Sequence, residues 1–308
     1  MKRDRHSNGK ACSRPLCHHA YAYTIRMNPI PLIEAADLSD RLKNPDCVVV
    51  DCRFKLTAPD AGQFAYTDAH IPGARYAHLD KDLARKPALP EGRHPLPEPQ
   101  QFAQTLSTWG ISNSSYVVAY DDVSGAIAAR LWWMLRWLGH ENVAVLNGGL
   151  GAWQQNDFPM ETAAPNWQST LFEPGLNPAM QTVASDEISA RLNHGELLLD
   201  ARAAKRFRGE AEPIDPLAGH VPGAINWPFN KALGSDGRFL DGAELNTLLT
   251  ETVGQRSAAD VIAMCGSGVT ACHLLLALQL AGLGMGRLYA GSWSEWICNP
   301  SRAIATGD

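Results

Sequence analysis

The first 26 residues lack an apolar run long enough for a signal peptide or a membrane span. Basic residues are scarce beyond that segment. It holds six of the 27 Lys and Arg and one of the 32 acidic residues, which leaves 21 basic against 31 acidic residues in the rest of the chain. Because nucleic-acid binding requires a basic face, this balance argues against it. We expect neither a nucleic acid nor a membrane as a partner.

Cysteine is present in an odd number, seven, and no secretory signal accompanies it. A disulfide scaffold is therefore disfavoured, and we expect a cytoplasmic protein, because free thiols persist in a reducing compartment. The segment 1–27 contains Cys12, Cys17 and the pair His18-His19. We interpret it as an extension without fixed structure rather than as a zinc site. We expect no metal and no cofactor.

The 308-residue chain repeats itself with a period of roughly 145 residues. Four segments of the first half recur in the same order in the second half. They are Val48–Arg53 with Leu197–Arg202, His70–Ala74 with His220–Ala224, Val117–Asp121 with Val261–Cys265, and Asn147–Trp153 with Tyr289–Trp296. We predict a duplicated domain, at 28–163 and 181–308, with an irregular linker at 164–180 that contains Pro and Gly.

Within each half, short β-rich runs alternate with helical segments. Predicted strands include Cys47–Asp51, Tyr116–Tyr120 and Ala144–Leu146, and Ala128–Leu138 is a predicted helix. This alternation indicates an α/β fold in which each domain is a parallel sheet flanked by helices. Ligands then bind at the carboxyl ends of the strands.

Cys265 lies at one such carboxyl end. It follows the apolar run Val261–Met264 and opens a Gly-rich loop that leads into the helical stretch Ala271–Ala281. Unpaired backbone N–H groups and the positive end of the helix dipole favour a thiolate there. Gly266 and Gly268 let the loop curl around an anion. The placement predicts a nucleophilic cysteine.

Three other interpretations of this loop compete. A buried, unreactive thiol is common for free cysteine. A dinucleotide loop of the form Gly-x-Gly-x-x-Ala fits residues 266–271, but the acidic residue expected about 20 positions on is missing before Glu295. A phosphatase loop of the form Cys-x5-Arg needs an arginine where the sequence has Ala271. The nucleophile remains the favoured interpretation.

The ordered repeat, together with Cys-Gly-Ser-Gly-Val-Thr-Ala at 265–271 and Ser-Trp-Ser-Glu-Trp at 292–296, resembles the two-domain rhodanese family. The resemblance implies a sulfurtransferase that moves a sulfane sulfur through a persulfide on Cys265. It implies 3-mercaptopyruvate or thiosulfate as the small-molecule donor, and a thiol such as thioredoxin, or cyanide, as the acceptor. The matching residue of the first repeat is Asp121, which implies that the first domain is inactive and contributes walls to an interdomain cleft.

The loop resembles the 3-mercaptopyruvate branch, because Gly266 and Ser267 stand where animal thiosulfate sulfurtransferases have basic residues. That branch implies a Ser-His-Asp proton relay, carried over here to Ser267, His70 and Asp60. It also implies that Arg206 holds the carboxylate of the donor. The loop residues that would surround the anionic sulfur are Gly266, Gly268, Val269 and Thr270.

One departure bears on the donor. The branch commonly has a second arginine a few residues after Arg206, but residues 212–216 read Glu-Pro-Ile-Asp-Pro. Losing one charge-assisted contact costs about 1.5 to 3 kcal/mol of binding. Two alternatives therefore stay open: thiosulfate as the main donor, and a noncatalytic persulfide carrier.

Overall fold

The computed structural model describes residues 31–308 as two parallel sheets, each flanked by helices. The predicted α/β fold with two tandem domains is confirmed. The predictions for residues 1–27, an extension without fixed structure and no zinc site, lie outside the described residues. Among residues 31–308, no helix is both long and apolar enough to cross a bilayer.

The strands are β1 (Leu32–Ile33), β2 (Cys47–Asp51), β3 (Arg75–Tyr76), β4 (Tyr116–Tyr120), β5 (Val143–Leu146), β6 (Leu197–Asp200), β7 (Ile225–Asn226), β8 (Val261–Met264) and β9 (Arg287–Leu288). The α-helices are α1 (Ala35–Arg41), α2 (Ala61–Asp68), α3 (Pro99–Thr108), α4 (Ala128–Trp137), α5 (Gly149–Gln155), α6 (Ile188–Asn193), α7 (Ala204–Phe207), α8 (Gly242–Val253), α9 (Thr270–Leu280) and α10 (Ser292–Trp296). Short 3₁₀ turns lie at Phe229–Ala232 and Ala258–Asp260.

The two sheets have the same strand order when equivalent strands are matched: β3, β2, β4 and β5 of the first sheet correspond to β7, β6, β8 and β9 of the second. The first runs β1-β5-β4-β2-β3 and the second β7-β6-β8-β9, with parallel neighbours throughout. In the second sheet, a parallel bridge from Thr182 to Leu288 of β9 stands where β1 pairs with β5 in the first. The shared order supports the duplication inferred from the sequence.

Alternate residues of the central strands face different apolar clusters, as side-chain alternation along a strand requires. In β2, Val48 and Val50 belong to one cluster and Val49 to another. The first cluster is shared by both domains, and it includes Trp132 and Trp133 of α4 together with the buried side chains of α9. One continuous apolar core therefore joins the two domains and fixes how their strand ends meet.

The linker is irregular, as predicted, yet it is attached to the first domain. The indole N–H of Trp167 donates to the carbonyl of Thr108 at 2.7 Å, and the Arg75 guanidinium lies 4.8 Å from its ring centre. Phe172 is buried. The linker thus extends the surface of the first domain, and the exact domain boundaries stay predictions.

Candidate active site

Cys265 lies just past the carboxyl end of β8, in the segment 265–269 that leads into α9, here called the active-site loop. The residue is 2% exposed. Its backbone N–H donates to Ser292 Oγ at 3.0 Å, and its carbonyl accepts from the N–H of Trp293 at 3.0 Å. The start of α10 therefore fixes the backbone of Cys265 within the active-site loop.

Gly268 fulfils the requirement for glycine in this loop. Its φ is +78°, in the left-handed region, and a Cβ there would overlap the carbonyl oxygen of Ala290. Any side chain would therefore meet both backbone strain and a collision. The tight curl of the active-site loop depends on this position.

The first domain shows what a loop of this kind does to an anion. Asp121 occupies the position equivalent to Cys265, and its carboxylate accepts four backbone N–H groups. The donors are Val123, Gly125, Ile127 and Ala128, at 2.8 to 2.9 Å. A strand end followed by a helix start thus forms an anion cradle in this fold.

Ser267 begins a hydrogen-bonded chain that crosses between the domains. Its Oγ lies 2.7 Å from Nδ1 of His94, and Nε2 of that ring lies 3.0 Å from Oδ1 of Asp80. Ser267 and His94 are 6% and 4% exposed. The nucleophile loop comes from the second domain, and the histidine and aspartate come from the first.

The direction of this chain follows from its chemistry. A carboxylate only accepts, so the neutral His94 ring carries its proton on Nε2 and its Nδ1 accepts from the Ser267 hydroxyl. Burial lowers the pKa of His94 below its ordinary value, although Asp80 opposes that effect. The hydrogen bond from His94 in turn lowers the pKa of Asp80. The ring is therefore neutral near pH 7.

His70 does not contact Ser267, contrary to the predicted relay. Its Nδ1 lies 2.7 Å from the carbonyl oxygen of Tyr66, and its ring stacks on that of Tyr66 at 4.1 Å. Its repeat partner His220 makes the same contacts with Phe207, at 2.8 Å and 3.7 Å. Both histidines hold their own turns, so the repeated His-x-Pro-Gly motif marks a structural element of each domain.

Asp60 also lies apart from the predicted relay. Its side chain is 68% exposed, and its Oδ1 is 3.9 Å from Nε2 of His78 and 3.7 Å from Nζ of Lys81. Asp80 takes the place that the sequence analysis gave to Asp60. Carrying the relay over to the repeated motif placed it wrongly, because other loops of the first domain reach the second domain.

Arg206 reaches the active-site loop as expected, and Arg93 joins it there. A Cβ on Gly266 would lie 3.5 Å from both Nη atoms of Arg206 and 3.1 Å from Nη2 of Arg93. Arg206 is held by Glu212 at 2.8 Å and by Asp215 at 3.0 Å. Two guanidinium groups, one from each domain, therefore lie beside the loop.

These groups surround a cavity of about 160 Å³ between the domains. Its wall includes Cys265 and three other residues of the predicted binding loop, Gly266, Val269 and Thr270. Gly268 acts through the backbone geometry described above. Apolar side chains of the first domain, among them Phe54, complete the wall. The cavity can admit one small molecule with its polar end toward the arginines.

Arg130 of α4 connects His94 to the active-site loop. Its Nη2 donates to the carbonyl of His94 at 3.0 Å and its Nη1 to the carbonyl of Gly268 at 3.3 Å. The side chain is fully buried, and burial lowers the pKa of its guanidinium. This residue fixes His94 and the active-site loop relative to one another.

Other chemistry near the loop is limited. Burial raises the pKa of the Cys272 thiol to about 12, so it stays protonated and unreactive. Cys298 is half-buried, and its Sγ lies 3.1 Å from the carbonyl of Ser294. Within residues 31–308, no group of three His, Cys, Asp or Glu side chains is placed to hold a metal ion.

The sequence analysis missed His94, Asp80, Arg93 and Arg130. The sequence does hold one clue to the histidine. A residue that acts at a single active site needs no counterpart in the other repeat, whereas His70 has a counterpart in His220. That signal alone does not separate His94 from His78, which is also unrepeated.

Comparisons with known proteins agree with this architecture. The rhodanese-like domain family matches the chain twice, at residues 34–156 and 184–298. The "Probable 3-mercaptopyruvate sulfurtransferase" of Pseudomonas aeruginosa is 47% identical over 287 residues, which is 92% of this chain and 100% of that protein. The "Putative thiosulfate sulfurtransferase SseB" of Mycobacterium tuberculosis is 39% identical over 281 residues, which is 90% of this chain and 97% of that protein.

A solved structure extends the comparison to three dimensions. The 3-mercaptopyruvate sulfurtransferase from Leishmania major superposes with a TM-score of 0.76 at 32% identity, covering 86% of this chain and 73% of that chain. The two family matches coincide with the two sheets, and the resemblance seen in the motifs extends over most of the sequence. The chain therefore belongs to the family of proteins with rhodanese-like domains.

Proposed function

We propose that the protein is a sulfurtransferase that takes a sulfane sulfur from 3-mercaptopyruvate and passes it to a thiol or to cyanide through a persulfide on Cys265. The observation that carries the proposal is the hydrogen-bonded chain from Ser267 through His94 to Asp80, which begins two residues from the nucleophile. The relative from Pseudomonas aeruginosa bears the name of the same donor, which supports this choice.

The first step forms an S–S bond between Cys265 Sγ and the sulfur of the donor while the C–S bond of the donor breaks. The electron pair of that C–S bond leaves with the three-carbon fragment as the enolate of pyruvate. The enolate needs one proton to become pyruvate. The amides of the active-site loop would stabilise the anionic sulfur before and after transfer, as the first-domain cradle stabilises Asp121.

The relay of Ser267, His94 and Asp80 transfers this proton, which comes from the thiol of the donor. The thiol proton of the donor passes through the Ser267 hydroxyl to His94, whose imidazolium form Asp80 stabilises, and returns by the same route to the enolate. Thiolate and 3-mercaptopyruvate thus yield persulfide anion and pyruvate with atoms and charge balanced. The neutral state of His94, which burial favours, lets the ring accept that proton.

The second step passes the outer sulfur of the persulfide to the acceptor. A thiol acceptor such as thioredoxin, or cyanide, attacks that sulfur, and Cys265 leaves as the thiolate that began the cycle. Because the cycle needs a free thiolate, we place the protein in a reducing compartment such as the cytoplasm. Neither step requires a metal or a cofactor.

Thiosulfate is the second candidate donor, and the name of the Mycobacterium tuberculosis relative favours it. Thiosulfate transfers its outer sulfur to the thiolate and leaves as sulfite, without any proton. It would therefore make no use of the contact between Ser267 and His94. The charges beside Gly266 also argue against it, because Arg93 and Arg206 are balanced by Glu212 and Asp215, which leaves no excess positive charge for a dianion.

The deciding experiment compares kcat/KM for the two donors with cyanide as acceptor, following thiocyanate. We expect a preference for 3-mercaptopyruvate, and a Ser267→Ala variant that loses activity with 3-mercaptopyruvate more than with thiosulfate. Equal losses would contradict the relay, and a preference for thiosulfate would contradict the donor.

Cys265→Ser serves as the control for both donors, and we expect it to have no turnover. Appreciable activity in that variant would remove the persulfide assignment. A noncatalytic carrier would instead release at most one equivalent of pyruvate or sulfite per protein, with no further turnover when acceptor is added.

A further inference from the structure

A surface groove adjoins the reaction cavity. It has a volume of about 390 Å³, and its wall is formed by residues of the segment 87–93 in the first domain and by residues of the second domain. Arg93 and Ile214 belong to the walls of both the groove and the cavity. The groove therefore continues the cavity outward along the boundary between the domains.

Apolar side chains are exposed along this route. Leu89 of the groove wall is 92% exposed, and Ile214, which comes from the second domain, is 40% exposed. Leu56, which lines the cavity, is 38% exposed. Exposed apolar side chains grouped around a polar reaction site mark a place where another molecule binds. Cyanide or a small thiol needs no such surface, because it fits within the cavity of about 160 Å³.

Three exposed lysines are each next in the chain to a residue that lines the cavity or the groove. They are Lys55, Lys86 and Lys205. None of them forms a salt bridge with another residue of the described part of the chain. The acidic residues of the groove wall are already paired, Glu91 with Arg85 and Asp215 with Arg93. Because residues 31–308 hold 21 basic and 31 acidic residues, this rim is a positive region on an otherwise acidic body.

We propose that the groove and its rim form an acceptor face, which docks a protein whose reactive thiol lies on an apolar loop bordered by acidic side chains. The acceptor face is defined by Lys55, Lys86, Leu89, Lys205 and Ile214. The inference rests on the proposed function and names the kind of thiol that receives the sulfur. The positive rim attracts and orients an acidic partner, and the apolar groove holds its loop beside the cavity. A second copy of this chain is disfavoured as the occupant, because a symmetric contact would bring the same lysines together.

The burial of the nucleophile explains why a protein acceptor needs a docking surface. Cys265 is 2% exposed, so the acceptor thiol must enter the cavity while the body of the acceptor stays outside. There the acceptor thiolate forms an S–S bond to the outer sulfur of the persulfide. The bond between that sulfur and Cys265 Sγ breaks, and its electron pair stays on Cys265 as the thiolate. The acceptor departs as a persulfide, and no further reactant is needed.

The test loads Cys265 with persulfide from 3-mercaptopyruvate, removes the donor and measures one transfer, by intact mass, to a reduced thioredoxin of net negative charge or to 2-mercaptoethanol. Lys86→Glu should lower the second-order rate constant with thioredoxin about 5- to 50-fold at low ionic strength, and the difference should fall below about twofold near 1 M salt, where the Debye length is about 3 Å. Leu89→Ser should lower it about 5- to 20-fold at both ionic strengths, because an apolar contact is lost. Both variants should keep the rate with 2-mercaptoethanol within about twofold, since a small neutral thiol does not need the acceptor face.

Lys231→Glu and Leu171→Ser are the matched controls, because both residues are exposed and neither lines the groove or the cavity. We expect both to transfer sulfur to thioredoxin at the rate of the parent protein. Equal slowing in Lys86→Glu and Lys231→Glu, or parent rates in Lys86→Glu and Leu89→Ser, would show that the acceptor face docks no acceptor. A dimer of the parent protein in sedimentation that Leu89→Ser dissociates would assign the face to a second copy instead. Failure of the parent protein to form any persulfide is a separate outcome, and it would overturn the proposed function together with the face that depends on it.

Discussion

The imidazole of His94 can take a proton from Ser267 only while its Nδ1 is free. Burial lowers the pKa of His94, so the ring stays neutral over a wider acid range than an exposed histidine does. Once the pH falls through that lowered pKa, Nδ1 gains a proton and the hydrogen bond from the serine hydroxyl is lost. Transfer from thiosulfate needs no such proton.

We therefore predict that the ratio of kcat/KM for 3-mercaptopyruvate to kcat/KM for thiosulfate falls on the acid side, below the ordinary histidine pKa of about 6.5. Taking the ratio removes any effect of pH that is common to the two reactions. His94→Gln should lower the ratio at every pH and abolish its acid limb. A pH-independent ratio in the parent protein would contradict the relay.

His70→Gln is the matched control, since His70 is as deeply buried but contacts Tyr66 instead of the active-site loop. We expect this variant to lose stability in urea unfolding, because a buried hydrogen bond and a stacked ring contact are disturbed. Its donor ratio should equal that of the parent protein. A selective loss of 3-mercaptopyruvate activity in His70→Gln would restore the original sequence-based relay.

The limits of prediction at this scale have a physical cause. Cys265 was singled out from the sequence because a strand end, two glycines and a helix start lie next to each other in the chain, and Ser267 followed from the family resemblance. Arg93 and His94 lie in an irregular segment far earlier in the chain. His94 and Ser267 are 173 positions apart. Their roles depend on the packing of the two domains, which no local pattern specifies.

At the scale of elements, the active-site loop depends on its glycine geometry. Gly268→Ala would place a Cβ against the carbonyl oxygen of Ala290 in a left-handed conformation. We predict a loss of stability of at least about 1 to 3 kcal/mol and a larger loss of activity, because the loop must open to admit the methyl group. Urea unfolding and turnover with either donor measure the two effects.

Gly151→Ala of α5 is the comparison variant. A Cβ there meets no atom within 4 Å, so the helix should keep or slightly gain stability. If Gly268→Ala behaved like Gly151→Ala, the loop would tolerate a side chain and its geometry would not be decisive.

Elements were the most predictable level of this protein. The strands Cys47–Asp51 and Tyr116–Tyr120 are confirmed to the residue, because continuous β-branched and aromatic runs between turns favour buried parallel strands. The predicted helix Ala128–Leu138 ends one residue earlier, at Trp137. The two-residue strands β1, β3, β7 and β9 carry no periodic signal, because they are too short to show one.

At the scale of the whole molecule, His273 is a titratable residue that lies in the contact between the two domains. This residue of α9 is fully buried, and its Nε2 lies 3.1 Å from the carbonyl oxygen of Ser124 in the first domain. Its ring stacks on Phe239 at 4.4 Å. Burial lowers the pKa of His273 to about 4.

The sign of its effect on stability follows from proton binding. Between about pH 6.5 and pH 4, the unfolded chain protonates this histidine and the folded chain does not, so acid favours unfolding in that window. We predict that His273→Gln flattens the dependence of the unfolding free energy on pH by up to about 3 kcal/mol across it. Urea unfolding at several pH values measures this slope, and exposed His194→Gln should leave it unchanged. An identical slope in all three proteins would contradict the inferred burial of a neutral ring.

The split of the active site between two copies of one fold has a consequence for how donor choice can change. In the proposed reaction the nucleophilic sulfur belongs to the second copy, whereas the histidine and aspartate of the proton relay and one arginine come from loops of the first. Substitutions in those loops can retune selectivity without altering the residues that flank the nucleophile. If the first domain forms no bond to sulfur, as proposed, its loops can diversify and change the accepted donor while the nucleophile stays the same.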